Sequence, residues 1–337
     1  MRGIEVINPG LTATIQDLGR YKHQIEGFPV SGALDQKAHR LANLLVNNST
    51  NAATIEFCLL GPKLRFFCPT FIAITGSDSY PKLNEKVVPL NRTIQVFTGD
   101  ILTFSFMQTG RWGYLAVAND GIRTSPILDS RSTTLRAQLG GLDGGALKKG
   151  DRLPIKESYI MPSLSYRKIS VTKNDCHRIR FLKGPQWHLF SEKAQTQFTG
   201  KTFTVSQQAD RMGYRLSEKL SSPVKESLLS EGTVFGNVQI TRDGQAIVLL
   251  SDRQTTGGYP VIATIIAADF SDFVQMPIGQ KFNFVETDLK TATQEFFIQR
   301  QHFKRIFDNW HRQRYQFPIG PSRKAATKIE KLIESEN

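Results

Sequence analysis

A chain of 337 residues is long enough for two ordinary domains or one large one, and 39% hydrophobic with 22% charged residues is the balance of a soluble globular protein. Three cysteines with no C-x-x-C or Cys/His spacing exclude a structural zinc framework, and Cys58 and Cys68 read as small hydrophobes in apolar runs. The net charge of +13 has no zinc-finger, RRM or helix-turn-helix pattern beside it, so the expected counterpart is an anionic substrate or an acidic partner, not nucleic acid.

The opening MRGIEVINPG lacks an apolar signal core, and no apolar run reaches membrane-spanning length; a cytoplasmic protein without a membrane partner is expected. Up to about residue 290 the chain reads as β. Short apolar runs rich in β-branched and aromatic residues recur between Gly, Asn, Pro and Asp, among them TFIAIT (70–75), ILTFSF (101–106), YLAVAN (114–119), RIRFLKG (178–184), FTVSQ (203–207), QAIVLL (245–250) and KFNFVE (281–286). Helices are few. Residues 33–48 put Ala38, Leu41, Leu44 and Leu45 on one face, and 187–198 holds a second helix. Two β-rich halves meet near 155–175, a polar stretch without period that reads as a linker. After 286 the character changes: Phe296, Phe303, Ile306 and Trp310 fall at helical spacing, and the tail GPSRKAATKIEKLIESEN reads as a loop and a short charged helix.

Four Gly-rich segments carry more hydrogen-bonding groups than turns need. In GFPVSGALDQ, Ser31 is expected to cap the first helix, with Asp35 close behind. Glu56 lies inside an apolar strand, where it either pairs with an arginine or faces a cleft. Arg136 precedes the pairs Gly140-Gly141 and Gly144-Gly145, which permit positive φ and a close approach of backbone to a ligand; without Walker spacing they are no P-loop. QQADRMGYRL and SDRQTTGGYP both run Asp-Arg, then Gly and Tyr; their arginines are suited to a carboxylate or phosphate. The six histidines are scattered and no nucleophile–base pair stands out, so polar positioning of an acidic substrate is favoured over covalent catalysis.

Taken in order, GLTATIQDLGR, FPVSGALDQKAHRLANLLVNN, LGPKLRF, AITGSD, STTLRAQLGGLDGGALKKGD, QQADRMGYRL and LLSDRQTTGGYP resemble the KipA family, also called allophanate hydrolase subunit 2 or the biotin-dependent carboxyltransferase family, which includes the C subunit of 5-oxoprolinase. The likeness runs from about residue 4 to 286. It implies a mainly β chain of two cyclophilin-like β-barrel domains (1–160 and 175–290), to which the sequence adds a basic helical extension over 291–337. It implies one component of an ATP-dependent 5-oxoprolinase, inactive alone, that works on the lactam amide of 5-oxo-L-proline with a KipI-like partner of the 5-oxoprolinase B type. A LamB/YcsF-like component of the A type would complete hydrolysis to L-glutamate. ATP, with Mg2+, would be shared with the KipI-like partner, and no metal site is expected on this chain itself.

On that resemblance, Arg253 or Arg211 would meet the substrate carboxylate. Thr255, Thr256 and the amides of Gly257 and Gly258 would hold the amide oxygen, and Asp252 or Asp210 would orient an arginine or a substrate N–H. Tyr214 and Tyr259 would close the pocket, with Ser31, Asp35 and Glu56 approaching from the first half. Two alternatives stand beside this reading. One is a carboxyltransferase component acting with biotin on urea- or allophanate-type amides. The other is a regulatory protein antagonising a KipI-like kinase inhibitor.

Overall fold

The structure, a computed structural model, describes residues 3–170, 177–221, 224, 228–316 and 328; Cys176 and nearly all of the tail beyond 316 lie outside them. The first half is two antiparallel sheets. One has the order Arg152–Leu153, Ile4–Asn8, Lys63–Phe66, Ile101–Thr103, Lys82–Leu83, Lys86–Val87; the other runs Thr12–Gln16, Thr54–Cys58, Trp112–Val117, Thr70–Gly76, Thr93–Val96. Ile4, Val6, Ile15, Ile55, Phe57, Leu64 and Phe66 fill the space between them.

The second sheet is buried on both faces, and the strand period of two explains how. Ile72, Ile74, Leu115 and Val117 point into the first-half core. Their neighbours Phe71, Ala73, Tyr114 and Ala116 point the other way, into a second core that also holds the helix Gln36–Leu45 and the barrel of the second half. The two halves are therefore joined by a shared apolar layer. The helix is shorter than its pattern suggested, because Asp35 rather than Ser31 is the cap: its carboxylate accepts from Ala38 N at 3.0 Å, while Ser31 sits at φ 56° in the approach.

Seven strands of the second half close a barrel in the order Arg178–Lys183, Val261–Ile265, Asn237–Ile240, Gln245–Leu249, Gly213–Lys219, Thr202–Ala209, Lys281–Glu286. The first and last of these pair in parallel, Arg178 opposite Asn283 and Phe181 opposite Glu286. The expected helix at 187–198 divides into a 3-10 turn, Trp187–Leu189, and a helix, Glu192–Gly200, capped by Ser191. That helix lowers Phe198 among Phe181, Phe203 and Phe284, stacked on Phe284 with centroids 4.6 Å apart.

The stretch after residue 153 does not hang free. Arg167 donates to the carbonyls of Leu44 and Leu45 and to Asn47 Oδ1. Its guanidinium also lies 5.4 Å from the ring centroid of Trp310, on the final helix Leu289–Gln316. That helix lays Phe303, Ile306 and Trp310 on the shared core, as their spacing predicts, and Gln299 donates to Ala268 O at 2.8 Å. Among the described residues no helix is long and apolar enough to cross a membrane.

Phe198 is fully buried, so replacing it by alanine leaves a cavity the aromatic neighbours cannot fill. Phe198→Ala is expected to lower unfolding stability by about 3–5 kcal/mol, read from urea denaturation. A loss under about 1 kcal/mol would show that the cluster is not the barrel's packing centre.

Candidate functional site

Four of the polar residues singled out in the sequence, Ser31, Glu56, Arg211 and Asp252, meet at the junction of the halves, and there they meet one another. Arg211 is in the turn between the strands Thr202–Ala209 and Gly213–Lys219. Its guanidinium forks onto Asp252, Nε to Oδ2 and Nη2 to Oδ1, both at 2.9 Å. Nη1 donates to Glu56 Oε1 across the junction, and Nη2 also reaches Gly32 O at 2.7 Å. Glu56 accepts further bonds from Leu34 N and from the hydroxyl of Tyr114, its cross-strand neighbour, both at 2.8 Å. Ser31 Oγ lies 2.7 Å from Asp252 Oδ1 and 2.9 Å from Thr133 O. Of the two readings of Glu56, the structure has the arginine pair.

Burial works against the Arg211 charge, but Asp252 and Glu56 together outweigh it and raise its pKa. Burial likewise pushes the Glu56 carboxyl up, and Arg211, Leu34 N and Tyr114 pull it back.

A second lock lies beside the first. Asp35, besides capping its helix, accepts from Ser271 Oγ and Gln275 Nε2, each at 2.8 Å. Gln275 Oε1 takes the backbone N–H of Arg111 and of Trp112 and the Ser77 hydroxyl. Tyr214 donates its hydroxyl to Val274 O and accepts from Trp112 Nε1, both at 2.8 Å, deep in the core. Asp210 caps its own turn through Met212 N and Gly213 N. Arg136 is exposed, with Nη1 3.4 Å from Met212 Sδ.

The glycines after Arg136 bring backbone close to the protein's own Arg20. Gly140 has φ 75°, and a Cβ there would meet Arg20 Nη2 at 2.9 Å and collide with Ser132 O. Arg20 is buried, bonded to Thr134 Oγ1 at 2.6 Å and Ser132 O at 2.5 Å.

Arg253 differs from all of these. It directly follows Asp252 and turns the other way. Only 6% of it is exposed, yet its bonds go to two backbone carbonyls, Thr233 O at 3.4 Å and Leu250 O at 3.2 Å; among the described residues it has no carboxylate partner. A desolvated guanidinium left with only neutral acceptors has capacity for an anion, and burial lowers its pKa.

It lines a cavity of about 450 Å³ whose wall comes from both halves and from the final helix. Lys37, Arg40 and Arg300 line the same wall, which among the described residues holds no aspartate or glutamate. Phe235, Phe270, Phe296 and Phe303 supply an apolar side, and Gln36, Ser251, Ser271 and Gln299 supply neutral polar groups. Neither Lys37, Arg40 nor Arg300 was singled out in the sequence. Lys37 and Arg40 sit three apart on the polar face of an amphipathic helix, and Arg300 lies in a long basic stretch; nothing local sets them apart from solvated charges. Thr256, Gly257, Gly258 and Tyr259 lie elsewhere. Thr256–Gly257 pairs with Glu231–Gly232, and Gly257 and Tyr259 line a smaller cavity of about 260 Å³. Thr233 stands between the two cavities, accepting from Arg253 Nε on one side and donating its N–H to Thr255 O on the other.

Residues 26–286 match the family model for the carboxyltransferase domain, subdomain A and B, and the chain belongs to that family. It is 38% identical over 311 residues to the C subunit of 5-oxoprolinase from Escherichia coli (strain K12), covering 92% of this chain and 99% of that one. With the C subunit of 5-oxoprolinase from Haemophilus influenzae it shares 35% identity over 293 residues, 86% of this chain and 93% of that protein. Among solved structures, the crystal structure of the K. lactis urea amidolyase superposes with a TM-score of 0.81 at 26% identity over 92% of this chain; the match spans 20% of that protein.

Removing the Arg211 guanidinium strands two buried carboxylates. Arg211→Met is expected to cost about 3–5 kcal/mol of stability. Without its partner the Glu56 carboxyl rises further above the ordinary carboxylate range, so the native state holds a proton that the unfolded chain releases. The variant's stability is then kept below that ordinary range and lost as pH rises through the raised value. Urea midpoints at pH 5 and pH 8 check this: the deficit against the parent chain should be larger at pH 8, and an equal deficit would refute the ion-pair account.

Proposed function

We propose that this chain acts as the C-type component of a 5-oxoprolinase-like complex and receives the carboxylate of 5-oxo-L-proline at Arg253. The near-full-length likeness to the 5-oxoprolinase C subunits of two bacteria supports the reaction. The observation that carries the site is the buried Arg253 guanidinium, bonded only to two carbonyls and facing a cavity without acidic residues. The lactam ring would rest against the apolar side of the cavity, with Gln36, Ser251 and Ser271 within the same wall for its amide.

ATP is the co-substrate such a reaction calls for. The nucleotide and its ion would be shared with a KipI-like partner of the B type, and a LamB/YcsF-like component of the A type would complete hydrolysis. A second reading, carboxyl transfer to a urea-type amide, draws on the likeness to urea amidolyase. Urea brings no carboxylate to Arg253, whereas carboxybiotin would.

The test is 5-oxoproline-dependent ATP hydrolysis and glutamate release by the chain alone, with its KipI-like partner, and with both partners. Glutamate is expected only from the full set. Arg253→Gln should lower kcat/KM about 100-fold or more, equivalent to the loss of a charge-assisted contact of about 3 kcal/mol, with circular dichroism unchanged. Full activity of that variant would remove Arg253 from the site. Urea-dependent decarboxylation of carboxybiotin without 5-oxoproline turnover would establish the second reading instead.

A further inference from the structure

The cavity holds more positive charge than one carboxylate can answer. Among the described residues Arg40 has a single long bond, 3.5 Å to Gln36 Oε1, and Arg300 makes no ion pair, lying 5.8 Å from the Phe296 ring centroid. Lys37 has the carboxylate of Asp272 within electrostatic range. The two arginines come from elements far apart in sequence, the first helix and the last, and packing sets them in the same wall. Burial lowers the pKa of Arg40, and the Arg300 charge adds to that.

Two guanidiniums with no carboxylate partner among the described residues, facing one space, repel each other. An anion carrying close to two charges, with several acceptor oxygens, offsets that repulsion and uses both forks. The two groups are anchored separately: the Gln36 side chain touches Arg40 through Oε1 and donates from Nε2 to the Tyr21 hydroxyl at 3.0 Å, whereas Arg253 is held on Thr233 O and Leu250 O of the second half.

We propose that the cavity has two anion seats, one for a carboxylate at Arg253 and one for a phosphoryl-type dianion between Arg40 and Arg300. The ligand class is then a carboxylic acid bound together with, or bearing, a phosphoryl group. The carboxylate seat rests on the function proposed above; the phosphoryl seat does not. Arg300 makes the final helix, which lies beyond the matched residues 26–286, a part of the binding site.

Isothermal titration of the full chain with inorganic phosphate, with and without saturating 5-oxoproline, tests this. Phosphate is expected to bind in both conditions and to bind at least 10-fold more weakly to Arg300→Gln and to Arg40→Gln. Arg300 is exposed, so its variant folds; Arg40→Gln is checked by its melting curve. Competition between phosphate and 5-oxoproline would overturn the proposal by showing a single seat. So would phosphate binding that is absent in the parent chain or indifferent to Arg300. Arg300-dependent phosphate binding with no 5-oxoproline binding would uphold the phosphoryl seat and sink the proposed substrate. Titrations with acetyl phosphate and with ATP separate the sources. Binding of acetyl phosphate as tight as that of ATP identifies a phosphorylated acid, and ATP at least 10-fold tighter identifies a nucleotide; either, lost in Arg300→Gln, upholds the seat.

Discussion

The junction of the two halves is organised around the guanidinium of Arg211. A cation taken out of water costs several kcal/mol unless its donors are met. Here they are met from both sides: Asp252 belongs to the second half, Glu56 and Gly32 O to the first. Such a network has one satisfied geometry, and a small slide of one half on the other would strand at least one buried charge. The apolar layer beneath it supplies adhesion, but it is tolerant of direction. The ion pair supplies registry. Asp252 and Arg253 are neighbours, so the segment that fixes the halves also fixes the arginine facing the cavity.

Much of this was legible in the sequence, and the limits are instructive. Short apolar runs such as TFIAIT, set between turn residues, marked the strands, and the spacing of Phe303, Ile306 and Trp310 marked the buried stripe of the final helix. The polar residues crowded around glycines stand out in the sequence, and four of them form the clamp at the junction. What a linear reading could not tell was that Glu56, Asp252 and Arg211 satisfy each other. Charge complementarity between residues 155 positions apart has no local signature. The same holds in reverse for Arg40 and Arg300: each looks like an ordinary solvated cation in its own helix, and their meaning arises only where packing sets them in one wall. The glycine pairs show a third kind of gap. Glycine marks a close approach of backbone to something, and in Gly140 that something is Arg20 of the same chain.

The loop from Asp252 to Tyr259 divides its labour in a way the repeated Asp-Arg motif obscured. In QQADRMGY the aspartate caps a hairpin and the arginine is the clamp. In SDRQTTGGY the aspartate receives the clamp and the arginine faces the cavity. Both loops turn their Asp and Arg apart, but the partner geometry assigns opposite duties to the same residue types. Beyond Thr233 the loop enters a different cavity, so Thr256 to Tyr259 are removed from Arg253 despite their nearness in sequence.

The pairing that closes the barrel has a consequence for how the protein is made. The strands Arg178–Lys183 and Lys281–Glu286 lie side by side, so the ring joins residues about a hundred positions apart. During synthesis the first of them, flanked by open edges on both sides, waits for the last to leave the ribosome before its parallel partner exists. The first half has all its strands by Leu153 and can collapse while the second is still being made. In that interval the part of the second sheet's outer face that the helix Gln36–Leu45 leaves uncovered is a ready platform on which the later half condenses.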